Sequence, residues 1–550
     1  MDVWPNPQNL VDEKHDYNLF ATDLPLQQGL QQHGLKDWAA LHQQGEALGR
    51  AESYALAEQA DRHPPEAHLL DSRGRRLDQV AFHPAWHHWM GQIRHYDIHS
   101  LPFARRDPAQ DNRQRWLDWA ARFYQHSQLE CGSLCPAAMT LGAIPVLQRE
   151  PDLWPALAEP LLHPQHDARD LPLSQKTSLW IGMGMTEKQG GSDVRSNQTT
   201  ATPIDGEGRG AAYLLHGHKW FFSAPMCDAH LVVARTPQQG LGCFWVPRWQ
   251  PDGRKNPIHI QRLKSKVGNR SNASSEVEFA GAWGQLIGEP GRGIPTIIEM
   301  ATYTRLTCVV GSSGILRQAL VQALSYARQR HAFGRVLAEQ PMMQAVLTDL
   351  ALESEASLAL ALQLAAAYGG EDPLSLAWQR LMTPAAKFWV CKRAVELTGE
   401  AMEVLGGNGY VEGGVLGRLF REAPVNSIWE GSGNIMCLDV LRGISRQPAS
   451  ARLLLDDLLH RVQDEAVLRQ EVHTLGQWLQ QGQDLEAQGR AFVGRLAKLA
   501  QAALLRGSAP SAVADAFIAS RYAPHWGGVT GQVHLSPAQA RSVLQRALGD

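Results

Sequence analysis

A single carboxylate, Glu430, stands between Trp429 and the turn Gly431-Ser432-Gly433 in SIWEGSGNIMCLDVLR (427–442), just ahead of an apolar helical run. A carboxylate there either favours the helix N-terminus, worth about 0.3–1 kcal/mol, or serves as a base toward a ligand that the small turn lets approach. A second stretch, MGMTEKQGGSDVRSN (183–197), sets Gly190 and Gly191 beside Thr186, Gln189 and Ser192. Two glycines permit a tight turn, and short polar side chains can bond a ligand held close; an ordinary polar loop has the same composition. The stretch has neither a G-x-G-x-x-G after a strand nor the Gly-Lys-Ser/Thr of a P-loop, which disfavours the dinucleotide and nucleoside triphosphate folds built on them.

HGHKWFFSA (216–224) clusters aromatic residues on an expected strand. Alternation sends Trp220 and Phe222 to one face and Phe221 to the other. Such a cluster either packs a core or walls a flat heterocycle, with the Ser223 hydroxyl at its polar edge. RQRHAFG (328–334) ends a helix with Arg330 and Phe333. That arginine either complements the helix C-terminus or suits a phosphate. GGNGY (406–410) is either a helix stop or a loop lying against a ligand.

These segments fall in regions of different texture. Residues 1–180 show helical spacing of Leu, Trp, Ala and Phe, and 181–288 break into short β-rich runs separated by Gly, Pro, Asn and Asp. Helical pattern returns over 289–446, where Val310, Ile315, Leu316, Ala319, Leu320, Ala323, Leu324 and Ala327 form one stripe. Pro341 and Pro373 stand where helices over about 341–368 and 374–405 should start. Residues 447–550 are helical again. From Arg490 onward they carry Arg490, Arg495, Lys498, Arg506, Arg521, Arg541 and Arg546 against Asp515 and Asp550.

Taken in order, TEKQGGSDV, HGHKWFFS, TRLTCVVGSSGILRQAL, RQRHAFG, MEVLGGNGY and IWEGSGNIM resemble the acyl-CoA dehydrogenase family over about residues 180–445. The segments HPPEAHLL, RRLDQVAFHPAWH, MGMTEKQGGSDV and KVGNRSNAS, with the C-terminal block, are similar to the family's adaptive-response branch, flavoproteins of the bacterial response to DNA alkylation. The resemblance implies an α+β multidomain chain: a helical domain, a central β domain and a helical bundle, plus an extra C-terminal helical domain. It implies FAD as cofactor, with Met183, Met185, Thr186, Gly190, Gly191 and Ser192 along the flavin and Phe221, Phe222 and Ser223 at its rings. Arg330, Phe333, Gly406 and Gly407 match positions that reach FAD across a subunit interface, which implies a homotetramer. Ile428, Trp429, Gly431, Ser432, Gly433 and Asn434 would form the turn against the cofactor, and Glu430 matches the catalytic base.

Two departures bear on substrate. Thr302 stands three residues before Arg305, where relatives carry an acidic residue that helps bind acyl-CoA, and the glutamine usual after the FG segment is displaced in AEQPMM. Acyl-CoA oxidation is therefore expected to be slow or incidental. In the adaptive-response branch the C-terminal block belongs to a DNA-binding surface, and Arg442 and Arg521 match its basic positions, both expected to be exposed. With no recognition helix or zinc finger in view, contact with double-stranded DNA should be sequence-tolerant. The implied function is protection of DNA from alkylation, by inactivating alkylating agents at the flavin. The alternative is a metabolic acyl-CoA dehydrogenase passing electrons to an electron-transfer flavoprotein, and a third reading keeps FAD as a structural element only.

Composition adds bounds. A chain of 550 residues predicts several domains, and a formal charge of −3 argues against a wholesale nucleic-acid coat. The start MDVWPNPQNLVDEKHDYN lacks the marks of a secretory signal, and no run reaches the ~18 apolar residues of a membrane span, so a cytoplasmic location is expected. Seven cysteines, an odd number, read as buried thiols; CGSLC (131–135) lacks the spacing of a redox or zinc pair.

Overall fold

The computed structural model describes residues 9–104, 111–237, 240–481, 485–524, 526–527, 529–530 and 535–548. The chain divides into two compact units, one of Met1–Ala55, Ala109–Leu129 and Cys308–Asp550, the other of Leu56–Pro108 and Glu130–Thr307.

The first unit is helical. Its spine includes Pro341–Tyr368, which starts on a proline at its first position, and Thr383–Val404, entered through a π-helical turn at Trp378–Met382. Proline suits a helix start because the amide it lacks would have had no partner there. Pro341–Tyr368 is apolar and long enough to cross a membrane, unlike the expectation from the sequence, but its most apolar window is 83% buried within the protein. Two of its buried residues are Asp349 and Glu353, acids that need cations around them. Val415–Ile428 is a helix the sequence pattern did not reveal, because Pro424 interrupts it and glycines flank it. It leads into the turn at 429–432 and the helix Gly433–Arg446. The C-terminal block supplies Pro448–Arg461, Ala466–Gln481, Gly489–Ser508, Ser511–Arg521 and Pro537–Leu548.

The second unit is built on a seven-stranded sheet. Ala212–Ser223 pairs with Thr200–Pro203 and also with Ser274–Ile287, so the sheet closes on itself as a small barrel through Ala229–Thr236 and Gly240–Pro247. Tyr213, Leu215, Val232, Phe244, Val246, Val277 and Phe279 fill its interior in step with the inward half of each alternation, and Phe222 joins them out of step. A hairpin of Glu66–Leu70 and Arg76–Ala81 lies where helical pattern was expected. Gly74, at φ +77°, makes its turn. Asp78 ties it to the barrel, accepting from Arg76 at 2.7 Å and from the Ile260 amide at 2.8 Å. None of the seven cysteines is in a disulfide; six are buried and Cys131 is half-buried.

Candidate active site

The barrel unit carries one set of the expected residues. Antiparallel pairing puts Met183 opposite Ser223 and Gly184 opposite Phe222, so the start of the loop and the end of the aromatic strand lie side by side. The Trp220 amide then donates to the Thr186 carbonyl at 2.9 Å, continuing the contact. Gly191 packs on Thr186: a Cβ there would sit 2.7 Å from Oγ1. Met183, Met185, Thr186, Gly190 and Gly191 are half-buried and Ser192 is exposed.

Beneath this loop Glu187 and Lys219 form an ion pair at 2.7 Å with both side chains fully buried. Glu187 also accepts from the Gln198 amide at 2.7 Å, the Thr199 amide at 3.2 Å and the Gln189 side chain at 2.7 Å. Asn197 donates to the Met185 carbonyl at 2.8 Å. Burial pushes the Glu187 carboxyl up, but the Lys219 ammonium and these donors outweigh it and hold the pKa at about 2. Neither residue was singled out in the sequence; the signal was a lysine in the middle of an otherwise aromatic strand.

The aromatic strand differs from simple alternation. Its register shifts between Lys219 and Phe222, so those two residues point inward while Trp220 and Phe221 are both more open. Phe222 is fully buried and stacks on His230 with centroids 4.1 Å apart. Its ring is part of the barrel core, which corrects its placement at a flavin ring. Phe221 is 51% exposed, and Lys264 Nζ lies 4.5 Å from its centroid and 3.8 Å from that of Trp220. Lys264 is held by Glu276 at 2.8 Å.

The helical unit carries the other set. Glu430 lies in the left-handed region at φ +58°, followed by Gly431 at φ +104°. A Cβ on Gly431 would come 2.5 Å from the Met436 side chain. The buried ammonium of Lys387 donates to the carbonyls of Asn426 and Gly431, both at 2.9 Å, and so clamps the turn on either side of Glu430. Trp429 Nε1 donates to Asn426 Oδ1 at 3.0 Å, and Asn426 Nδ2 to Ser312 Oγ at 3.2 Å. Burial pushes the nearby Cys308 thiol up, and the Glu430 carboxylate adds to that. Glu430, Trp429 and Gly431 are half-buried, Gly433 is buried, and Ile428, Ser432 and Asn434 are exposed. Arg490 donates to Asn434 Oδ1 at 2.8 Å, which occupies that oxygen. Arg330 is half-buried and donates to the Asn9 carbonyl, Phe333 is 98% exposed, and Gly406 and Gly407 are exposed on a 3-10 turn.

Matches to known protein families span the segments that carry both sets. Residues 9–168 match the model of the adaptive response protein AidB N-terminal domain, 182–282 that of the acyl-CoA dehydrogenase middle domain and 291–445 that of the acyl-CoA dehydrogenase C-terminal domain. The chain is 48% identical over 441 residues to the putative acyl-CoA dehydrogenase AidB of Escherichia coli strain K12, covering 80% of each. It belongs to the acyl-CoA dehydrogenase family. Acyl-CoA dehydrogenase family member 11 of Caenorhabditis elegans is 31% identical over 411 residues, 71% of this chain and 64% of that one. The crystal structure of Caenorhabditis elegans ACDH-11 in complex with C11-CoA superposes with a TM-score of 0.81 at 24% identity, covering 100% of this chain and 94% of that one.

Acyl-CoA dehydrogenases bind FAD. The residues here fit that cofactor: an aromatic ring at Phe221 that is half in the open, the half-buried Ser223 two residues on, and a close-packed glycine at 191 where a Cβ would meet Thr186. Thr302, where the family resemblance leads one to expect an acid, donates its hydroxyl to the Ile298 carbonyl at 3.0 Å.

Arg521 is not where the family resemblance put it. It is 1% exposed and pairs with Asp349 at 2.5 Å and Glu353 at 3.1 Å. Two buried acids on Pro341–Tyr368 draw it inward, so it offers no charge to a phosphate. Most of the basic tail is neutralised likewise: Arg495 pairs with Glu471 at 2.5 Å, Arg546 with Glu355 at 2.8 Å and Arg506 with Asp464. Arg442 is exposed, as are Arg446 and Arg452.

Two consequences can be measured. Glu187→Gln leaves the Lys219 ammonium buried without a counter-charge, and should lower unfolding stability by about 3–5 kcal/mol with loss of bound FAD. Because the folded pKa of Glu187 lies below the ordinary 4.5, the pair's contribution is full above that value and is lost as pH falls toward about 2; denaturant titrations at pH 7 and pH 3.5 should show the gap between wild type and variant narrowing. Arg521→Ala should lower the thermal midpoint by taking one cation from the buried Asp349 and Glu353, while duplex DNA affinity per folded molecule stays unchanged in a gel-shift titration.

Proposed function

We propose that this protein is a cytoplasmic FAD-dependent oxidoreductase whose Glu430 carboxylate takes a proton alpha to the carbonyl of an acyl-CoA thioester. The observation that carries the reading is the clamped turn. Lys387 fixes the backbone on both sides of Glu430, and Gly431 removes side-chain bulk directly after it. A base held in this way reacts without waiting for the loop to order itself. FAD, when bound, accepts the hydride that leaves the beta carbon. Trp429, anchored through Asn426, fixes the approach to the carboxylate, and Phe221 with Ser223 presents a flat face and a hydroxyl to the ring system. Thr302 in place of an acid supports slow turnover with ordinary acyl-CoA chains.

The adaptive-response side of the proposal is protection of DNA from alkylation, with alkylating agents inactivated at the same centre. Support comes from the match of residues 9–168 to the adaptive response protein AidB N-terminal domain. Arg442 and Arg446 are exposed four residues apart on one helix, hence on one face, and Arg452 is exposed on the next helix. Such a patch would hold duplex DNA by its phosphates. Phe333, Met342 and Tyr410 are 98%, 86% and 84% exposed on the single chain, apolar surface that further copies would cover in a homotetramer.

Anaerobic mixing with a short or branched acyl-CoA should bleach the flavin. Glu430→Gln should abolish the bleaching while FAD stays bound; bleaching at the wild-type rate would remove Glu430 as base. Replacing Arg442 and Arg446 together by alanine should weaken duplex binding equally across sequences. The slope of log affinity against log salt should shrink by roughly 0.9 for each phosphate contact removed.

A further inference from the structure

Within the barrel unit the hairpin, the helix Pro84–His95 and the segment 166–180 enclose a cavity of about 450 Å3, inside the roughly 300–1,000 Å3 typical of small-molecule pockets. None of its lining residues belongs to the loop 183–199 or to the strand Ala212–Ser223. Its wall is aromatic. Phe82 and Trp86 stack with centroids 3.7 Å apart and planes within 18°, and His87 stacks on His166 at 5.5 Å and 22°. The charges beside it cancel in pairs, Arg169 with Asp167 at 2.7 Å, Arg248 with Asp170 at 2.8 Å and Lys176 with Asp228 at 3.2 Å. A charged ligand would therefore find no counter-ion waiting.

The polar groups in this wall run in one direction. An indole nitrogen can only donate, so Trp180 Nε1, 3.1 Å from His166 Nδ1, makes that nitrogen the acceptor. Neutral His166 then carries its proton on Nε2, 3.2 Å from His87 Nδ1, and donates to it. Neutral His87 in turn has its proton on Nε2. Burial holds both rings neutral, pushing His166 down to about 3 and His87 below its usual value. The relay ends on an N–H of half-buried His87, and among the described residues no protein acceptor is bonded to it.

We propose that this cavity binds a neutral, flat heteroaromatic molecule through a ring acceptor that meets the Nε2–H of His87. The aromatic wall supplies stacking area, the relay supplies one directed donor, and the balanced ion pairs exclude net charge.

Quinoline and naphthalene test this directly, since they share size and shape and differ by one ring nitrogen. In ligand-observed NMR titrations of the protein as purified, quinoline should half-saturate at a concentration at least about fivefold below naphthalene, the worth of one hydrogen bond. His87→Phe should bring quinoline to the naphthalene value while naphthalene binding is kept, which also shows the cavity folded. His87→Gln, which retains an N–H donor, should keep the preference. Flavin absorbance should not move on quinoline addition. Equal affinities in the wild type, no binding of either probe, a preference that survives His87→Phe, or a flavin shift with quinoline would each overturn the proposal.

Discussion

The ion pair of Glu187 and Lys219, 2.7 Å apart with both side chains out of water, is the interaction on which the loop 183–199 depends. A pair so buried is stable only when its remaining hydrogen-bonding capacity is also met. Glu187 recruits the amides of Gln198 and Thr199 and the side chain of Gln189, and in doing so folds residues 187–199 back beneath the loop. Met185 is caught by Asn197 in the same fold-back, and Thr186 by the Trp220 amide. Loop shape is thus set largely by satisfaction of one charge, with Gly190 closing a backbone bridge to Glu187 and Ser192 left exposed. Lys387 does the corresponding work for Glu430, with carbonyls in place of carboxylates.

The same rule explains why the C-terminal block reads one way in sequence and another in space. Asp349 and Glu353 are four residues apart on Pro341–Tyr368, so both acids face the same neighbour and bury a double negative charge. Arg521, 168 residues beyond Glu353, supplies the cation, and Arg393 lies 3.6 Å from the same carboxylate. Arg546 and Glu355 repeat the arrangement over 191 residues. A count of charges along the tail cannot see partners that distant. The tail's basicity is largely a docking code for its own bundle, although Arg490 and Arg541 stand exposed, as do Arg442, Arg446 and Arg452.

What was legible locally came through. The barrel strands, the proline-started helices and the glycine turn after Trp429 follow from spacing and turn chemistry alone. The hairpin at Glu66–Leu70 and Arg76–Ala81 did not, because its strands are short and held by distant partners, among them Ile260, 182 residues from Asp78. Strand Ala212–Ser223 was half legible. Period-two alternation holds through Leu215, then bulges shift the register, so that Lys219 and Phe222 both turn inward. No sequence period announces a bulge; here the buried lysine and its distant glutamate account for it.

Glu430 adds the last step. A non-glycine residue in the left-handed region costs on the order of 1 kcal/mol, and Gly431 beside it already supplies the positive φ that the turn needs. Were the turn all that mattered, a second glycine at 430 would relieve that strain at no loss of reach. Helix stabilisation does not account for the glutamate either, since two residues, Gly431 and Ser432, separate it from the first helical position at Gly433, and dipole effects fade within the first turn. A backbone held in the left-handed region and clamped by a buried ammonium sets the Glu430 carboxylate at the tip of the turn, which is the arrangement that the proposed role of base requires.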